Sequence, residues 1–468
     1  MVEAPGEDHV VRAELAGSRP AEVTSVGEAI ACIVHFTDLH VTDAQSPARF
    51  EFVNSEWADS RFRELLTMQR PHETLNAHAI AAMVRTINSI EGGPLTGARP
   101  GIVAVTGDGV DNTQRNELAN FLALLDGGVV RPDSGASGYD GVQRADWPGE
   151  IFWKPDGPAD GDVFQSTLGF PRHPGVLEQA MQPFESDGLR LPWLRCWGNH
   201  EQACQGVGVV TPELARRMAG SRKPIEMPPT IDPDTAVETF VHSAERFMTG
   251  ADLEVSADPD RRPIGRADLL GESSYYVRDE GQVRFITLDT VCDEGAADGA
   301  IGSEQLRWLE GRLEEVHSSI RSHDGSVIRS GGEDRYVVVL SHHGYGTLSN
   351  PRCEQHADEL LALLSRFPNV ILWLNGHIHA NRITPRRTFW EVTTSSLVDW
   401  PCQARLVEIF KTADGALAIG CTMLDHDGEG LAGLHRELAA NVPANGFDSF
   451  RPGEPRDRNA VLLLPSPF

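Results

Sequence analysis

Five short clusters of metal-ligand residues occur along this chain, and each follows an apolar run with the length of a strand. They are Asp38-Leu39-His40, Gly107-Asp108, Gly198-Asn199-His200-Glu201, Ser341-His342-His343 and Gly376-His377-Ile378-His379. Their side chains are carboxylates, imidazoles and one amide, and none is a cysteine. This donor set suits hard or borderline cations such as manganese, iron or zinc better than a thiolate-rich structural zinc site.

The strands that precede the clusters decide whether the clusters can meet. Residues 30–36 and 102–105 are continuous apolar runs, and a helical pattern over residues 71–90 lies between them. This order is typical of a β-α-β unit with parallel strands. Parallel strands present their carboxyl ends on one edge of a sheet, where α/β proteins place their ligands. We therefore expect residues as distant as Asp38 and His379 to converge.

The clusters differ in how specific they are. Gly376-His377-Ile378-His379 is the most specific, because two imidazoles so close after a buried strand are hard to explain as core packing. Asp38-x-His40 and Gly107-Asp108, taken alone, are equally typical of surface turns. Of the two adjacent histidines in the fourth cluster, we prefer His342 as a ligand. His343 would then support a ligand or face the substrate.

Composition limits the partners and the location. The 468 residues include 41 Lys and Arg against 68 Asp and Glu, a net charge of −27, which repels nucleic-acid polymers. The seven cysteines form no C-x-x-C pair, so we expect mostly buried thiols in a reducing compartment. Neither a leader pattern nor a run of about 18 apolar residues is present. We expect a cytoplasmic protein without a membrane span, or an exported one if a signal was removed.

The five clusters in this order resemble the motifs of the calcineurin-like metallophosphoesterase superfamily, over about residues 30–425. The long insertions are similar to those of an uncharacterised bacterial subgroup. The resemblance implies an α/β fold, a four-layer α-β-β-α sandwich of two mixed sheets with helices outside. It also implies a dinuclear metal centre at the strand ends.

The resemblance assigns roles to individual residues. One metal ion would be held by Asp38, His40 and His379. The other would be held by Asn199, His342 and His377, with Asp108 bridging the two ions. His200 matches the family's histidine that contacts the phosphate and assists the leaving group. The remaining polar candidates would support the ligands or contact the substrate, and they are Asp111, Asn112 and His343.

The implied function is hydrolysis of a small phosphoester, in which two divalent or trivalent ions (manganese, iron or zinc) activate a hydroxide. A phosphodiester is favoured over a monoester by a small margin. The alternative is a non-catalytic scaffold that uses the metal site as a staple, and a weaker one is a mononuclear metal-binding module. Loss of a ligand would favour the scaffold, and every ligand is present in the sequence.

We expect the chain to divide into an N-terminal arm (residues 1–27), a metallophosphoesterase domain (28–425) and a C-terminal extension packed on it (426–468). We expect insertions in the domain at about 126–190 and 205–272. Aromatic residues of the first insertion would stack on a base, line a lipid-like pocket or simply pack the insertion itself. Three late strands, near 389–393, 404–410 and 417–424, are expected to complete the edge of a second sheet.

Overall fold

Two β-sheets face each other at the centre of the molecule, and helices cover both outer faces. The computed structural model describes residues 6–17, 26–322, 326–329, 332–442 and 450–468. This arrangement confirms the expected four-layer α-β-β-α sandwich.

The described residues form nineteen strands and twelve α-helices. The strands are β1 (Val10–Arg12), β2 (Val26–Phe36), β3 (Ile102–Val105), β4 (Gly128–Val130), β5 (Phe184–Ser186), β6 (Trp193–Arg195), β7 (Arg222–Pro224), β8 (Asp252–Glu254), β9 (Tyr276–Glu280), β10 (Val283–Thr287), β11 (Ser319–Arg321), β12 (Val327–Arg329), β13 (Tyr336–Leu340), β14 (Val370–Asn375), β15 (Arg382–Arg386), β16 (Phe389–Thr393), β17 (Gln403–Thr412), β18 (Leu417–Asp425) and β19 (Ala460–Leu464).

The α-helices are α1 (Asn76–Ser89), α2 (Arg115–Asp126), α3 (Val163–Thr167), α4 (Val176–Ala180), α5 (Ala203–Gly206), α6 (Pro212–Met218), α7 (Ala236–Ser243), α8 (Arg266–Leu270), α9 (Ser303–Glu314), α10 (Ala357–Ser365), α11 (Gly430–Asn441) and α12 (Pro455–Arg458). Short 3-10 turns occur at Glu51–Glu56, Ser60–Leu65, Glu73–Leu75, Asn199–Glu201, Pro233–Thr235, Ala244–Met248, Pro259–Arg261 and Tyr345–Thr347.

Parallel pairing in each main sheet sends the functional strands in one direction. The first sheet has the order β1-β19-β18-β17-β2-β3-β6, in which β2, β3 and β6 are parallel. The second has the order β15-β16-β14-β13-β10-β9, in which β10, β13, β14 and β16 are parallel. Each sheet therefore gathers several carboxyl ends at one edge.

The alternation of side chains along the strands explains why the central residues of β2 and β13 are apolar on both faces. Ile33 of β2 and Val338 of β13 point between the two sheets. Val34 points instead toward α1 and α2, and Val339 points toward α9 and α10. Because both faces of these strands are buried, neither face carries the polar residues of a solvent-exposed sheet.

The expectation for the three late strands was wrong for two of them. Strand β16 joins the second sheet, but β17 and β18 pair with each other and with β2 in the first sheet. All three segments are apolar runs of similar length, so their sequences do not distinguish the sheets. The connection over residues 394–402 crosses from one sheet to the other.

The two ends of the chain lie side by side in the first sheet. Strand β1 at the sheet's edge pairs in parallel with β19, and β19 pairs with β18. Helix α11 packs against α1. Residues 1–5 and 18–25 of the expected N-terminal arm lie outside the described residues.

The first insertion buries its aromatic residues. Trp147, Phe152 and Trp153 are at most 4% exposed. Trp153 packs in a small core with Leu75 and Leu438, residues outside the insertion. These three side chains therefore pack the insertion, the last of the three alternatives.

The cysteines partly contradict the sequence expectation. Five are buried thiols, but Cys292 and Cys353 form a disulfide. The two are 61 residues apart, and only the folded chain brings their loops together. Disulfides persist mainly in oxidising compartments, which counts against the expected reducing one. Among the described residues, no helix is long and apolar enough to cross a membrane.

Truncation of a side chain between the sheets should destabilise the protein. Leu372 of β14 is fully buried in this layer. We expect Leu372→Ala to lower the free energy of unfolding by about 2–5 kcal/mol, because it removes apolar contacts and leaves a cavity. Val327→Ala, at a side chain that is 61% exposed, should change it by less than about 0.5 kcal/mol. Equal effects in chemical denaturation would contradict this core assignment.

Candidate metal centre

The five clusters meet where the carboxyl ends of both main sheets come together. Asp38, Asp108 and Asn199 follow β2, β3 and β6 of the first sheet. His342 and His377 follow β13 and β14 of the second. The site is thus built at the junction of two sheet edges rather than at one edge.

The backbone at the site is bent into the left-handed region. Five candidate ligands have positive φ angles: Asp38 (52°), His40 (48°), Asp108 (50°), His377 (69°) and His379 (51°). Non-glycine residues rarely adopt this conformation, and it costs free energy that surrounding contacts must offset. The sharp turns aim successive side chains of one loop at a common point.

One group of side chains surrounds the end of β2. The Nε2 atom of His379 lies 3.3 Å from Asp38 Oδ1 and 3.1 Å from His40 Nε2. His40 Nε2 is 3.7 Å from Asp108 Oδ2. These four buried residues place their ligand atoms within 4.8 Å of one another. The group contains every residue predicted for the first metal ion, together with Asp108.

A second group shares Asp108 with the first. His342 Nε2 lies 2.9 Å from Asn199 Oδ1 and 3.2 Å from Asp108 Oδ2. His377 Nδ1 is 3.1 Å from the same Asn199 oxygen. This group contains every residue predicted for the second ion, and Asp108 lies between the two groups.

The ligand atoms of the first group face each other as acceptors. His40 Nδ1 donates to Asp111, and His379 Nδ1 donates to Asp399. A neutral imidazole has only one N–H, so the two Nε2 atoms that face each other both carry lone pairs. Lone pairs at 3.1 Å repel unless a proton or cation lies between them.

The second group has the same property. His342 Nδ1 is 2.8 Å from the carbonyl oxygen of Thr106, to which it must donate. When the ring is neutral, its Nε2 therefore turns a lone pair toward Asn199 Oδ1 and Asp108 Oδ2, which are also acceptors. Each group is a set of oxygen and nitrogen acceptors that a cation would satisfy, and the donor set therefore fits two ions.

The electrostatics of the site favour positive charge. Burial opposes ionisation of Asp38, but His379 beside it lowers the pKa of this carboxyl to about 2. Burial likewise opposes protonation of His342, yet the Asp108 carboxylate raises the pKa of this imidazole to about 9. The Asp108 carboxylate thus favours a proton on His342. A bound cation would offset the same negative charge.

Asp111 orients a histidine, but Asn112 does not reach the centre. Asp111 accepts the hydrogen bond from His40 Nδ1 at 2.9 Å and is paired with the buried Arg49. The Asn112 amide instead donates to the Ala48 carbonyl and accepts from the Gln205 backbone N–H. Asn112 therefore ties together the loops that carry Ala48 and Gln205.

His343 is fully enclosed behind the second group. Its Nε2 lies 2.9 Å from the Ala297 carbonyl oxygen and its Nδ1 lies 2.9 Å from Thr290 Oγ1. Its ring packs against that of His377, with the centroids 4.4 Å apart. Both ring nitrogens are thus engaged, and the ring of His343 supports that of His377.

Glu201, the last residue of the third cluster, fixes two loops to each other. Its buried carboxylate accepts hydrogen bonds from four backbone N–H groups, those of Gly198 (2.6 Å), Gly109 (2.7 Å), Asp108 (3.1 Å) and Val110 (3.3 Å). Burial is the main reason that the pKa of Glu201 is raised to about 7, and the nearby Asp108 charge adds to it. Glu201 positions Asp108 relative to Asn199.

His200 lies at the wall of a cavity beside both groups. The cavity has a volume of about 250 Å³ and is lined by Asp108, Asn199, His377 and His379 as well. His200 Nδ1 lies 2.9 Å from the Asp111 carbonyl oxygen and donates to it. Burial lowers the pKa of His200 and Arg70 lowers it further, but Asp108 and Asp111 outweigh them, so that the pKa is raised.

Sequence reasoning missed three residues at this cavity. Asp399 lies in the connection between the sheets and accepts from His379 Nδ1 at 2.7 Å. It also accepts from Arg70 Nε at 2.9 Å and from Arg451. Both arginines line the cavity. No local motif marks these residues, because they come from three segments that only the tertiary fold brings together.

Comparisons with known proteins give structural likenesses only. No protein-family model matches the chain, and no curated protein sequence matches it. A dimetal phosphatase from Danio rerio has a TM-score of 0.37 and 11% identity, over 85% of this chain and 96% of that one. A putative 5'-nucleotidase from Staphylococcus aureus has a TM-score of 0.32 and 12% identity, over 87% and 58%. GAP50, the anchor in the inner membrane complex of Plasmodium, has a TM-score of 0.31 and 11% identity, over 90% and 98%.

At these TM-scores the likenesses carry no weight for the function. Any function must therefore be inferred from the geometry of the site itself.

Removal of one acceptor oxygen from Glu201 should loosen both loops. Glu201→Gln replaces an oxygen by an amide that cannot accept, which leaves buried N–H groups without partners. We expect the free energy of unfolding to fall by about 1–3 kcal/mol for each orphaned group. Glu178→Gln, on the exposed surface, is the matched control. A Glu201→Gln protein as stable as the control would contradict this positioning role.

Proposed function

We propose that this chain is a dinuclear metal-dependent phosphoesterase of the calcineurin-like metallophosphoesterase type, which hydrolyses a small phosphoester. The observation that carries the proposal is the pair of acceptor groups that share Asp108, beside a cavity with a histidine at its wall. A buried set of facing acceptors is destabilising unless cations occupy it.

The proposed ligands follow the two groups. Asp38, His40 and His379 would hold one ion, and Asn199, His342 and His377 would hold the other, with Asp108 shared. When bound, two such ions lower the pKa of water and neutralise charge on phosphoryl oxygens. Manganese, iron and zinc all suit these oxygen and nitrogen donors.

His200 is the proposed general acid. Its Nδ1 is fixed by the Asp111 carbonyl oxygen, so Nε2 is the nitrogen that remains for the substrate. The backbone N–H of His200 also donates to Asp108 Oδ1 at 2.9 Å, which ties its position to the shared ligand. A charged imidazole placed there stabilises a phosphoryl oxygen and gives its proton to the leaving group.

The cavity fits a small ester. Its apolar wall includes Leu66, Met68, Val207 and Val442, which can contact the organic substituents of the substrate. A diester has a substituent on both sides of phosphorus and would use this wall more fully than a monoester, so we favour the diester. The net charge of −27 is unfavourable for a nucleic-acid polymer.

We also propose that residues 28–425 form the catalytic domain, with insertions at about 126–190 and 205–272. The second insertion packs in one apolar core with residues 48–68, a segment that continues to the cavity wall. The C-terminal extension, 426–468, supplies Arg451 to the same cavity. Both additions would thus shape substrate access rather than the metal centre.

Loss of the shared carboxylate should abolish binding of the ion pair. We expect Asp108→Ala protein, reconstituted with manganese, to retain at most one ion per chain by elemental analysis, because Asp108 contributes to both groups. Asp187→Ala, on the exposed surface, should retain two. Two tightly bound ions in Asp108→Ala would contradict the shared role.

Loss of His200 should reduce turnover without loss of metal. We expect His200→Ala to lower kcat on bis-para-nitrophenyl phosphate by about 10²–10⁴-fold, while the metal content and the exposed-site control His173→Ala stay unchanged. A panel with para-nitrophenyl phosphate tests the diester preference. Metal-loaded wild-type protein that is inactive on every ester would favour the non-catalytic scaffold instead.

A further inference from the structure

Two arginines from distant parts of the chain meet at the cavity wall. Arg70 follows the 3-10 turn Ser60–Leu65, whereas Arg451 belongs to the C-terminal extension. Arg70 donates from Nε and Nη2 to the Asp399 carboxylate at 2.9 and 3.3 Å, and Arg451 donates to the same carboxylate. Their side chains are only 13% and 20% exposed.

Asp399 holds both guanidinium groups in fixed positions. This carboxylate is buried and also accepts from His379. Arg70 is fixed through two of its nitrogens, Nε and Nη2. Its third nitrogen, Nη1, has no hydrogen-bond partner among the described residues. A guanidinium fixed in this way loses little conformational freedom when it binds an anion, and its planar fork matches carboxylates and phosphates.

The arginines lie apart from the proposed ion pair. The Nε2 atom of His379 faces Asp38 and His40, whereas its Nδ1 faces Asp399 and lies 3.4 Å from Arg451 Nη1. The imidazole ring therefore separates the guanidinium from the metal group. An anion bound at Arg451 would be displaced from the reacting phosphate by about the width of that ring.

Arg70 lies on the side of the general acid. Arg70 and His200 both line the same cavity. A group bound by Arg70 would therefore belong to the part of the substrate that departs when His200 donates its proton.

We propose that Arg70 and Arg451 bind a second anionic group of the substrate, a phosphate or carboxylate carried by the leaving group close to the reacting phosphate. This inference rests on the proposed phosphoesterase function. It narrows the substrate class to phosphoesters with two neighbouring anionic groups. The apolar wall is then left for the uncharged remainder of the molecule.

Matched phosphonates test this inference by binding alone. Methylphosphonate has one anionic group, phosphonoacetate adds a carboxylate, and methylenediphosphonate adds a second phosphonate. Isothermal titration of the manganese-loaded full chain should show that one or both of the latter bind about ten- to hundredfold more tightly than methylphosphonate. The compound with the larger gain in affinity over methylphosphonate shows whether the second anionic group is a carboxylate or a phosphate.

Arginine variants connect the preference to the guanidinium pair. Arg70→Ala and Arg451→Ala should each weaken binding of the doubly anionic compounds at least about fivefold more than binding of methylphosphonate. Arg70→Lys, which keeps the positive charge, is a second variant for the case in which the alanine variant folds poorly. It should lose part of the preference because lysine lacks the planar fork of the guanidinium group. Arg216→Ala, at a side chain that is 71% exposed, is the control. Metal content is measured after each titration, because these compounds chelate metals.

The outcomes separate this inference from the proposed function. The second-anion site would be overturned if the wild type bound all three compounds equally, or if the preference survived both alanine variants. Hydrolysis of aryl phosphoesters would in that case still support the proposed phosphoesterase function. A metal-loaded protein that neither binds methylphosphonate nor hydrolyses any ester would overturn the proposed function, and this inference with it.

Discussion

The convergence of buried acceptors around Asp108 is the constraint on which the rest of the structure depends. Asp108 lies between two groups of buried oxygen and imidazole ligand atoms, several of which face each other as acceptors when the rings are neutral. In a buried site such groups repel each other and lack water to compensate them. The surrounding residues must hold this unfavourable arrangement in place until cations offset it.

The structure holds it through hydrogen bonds on the far side of each ligand. Asp111 binds His40, the Thr106 carbonyl binds His342, and Asp399 binds His379. Each partner fixes which ring nitrogen has the proton, and therefore turns the other nitrogen toward the centre. Glu201 accepts hydrogen bonds from four backbone N–H groups. These bonds fix the backbone of the two loops that carry Asp108 and Asn199.

The additions to the central sandwich converge on the same cavity. The second insertion packs against residues 48–68, and the chain then continues to Arg70 at the cavity wall. The C-terminal extension contributes a strand to the first sheet and Arg451 to the cavity. The proposed centre would activate water for attack on phosphorus in many esters, so these peripheral segments are where selectivity for one substrate would be built.

The sequence by itself determined the strands that precede each cluster and the residues that meet at their ends. Apolar runs and local motifs record these features directly, since each depends on a few neighbouring residues. The tertiary structure alone decided that β17 and β18 join the first sheet, that Cys292 pairs with Cys353, and that His343 is enclosed. It also brought Asp399, Arg70 and Arg451 together. These features depend on contacts between segments that are distant in the sequence. Residues that meet only through packing form no local motif, so the sequence alone does not indicate them.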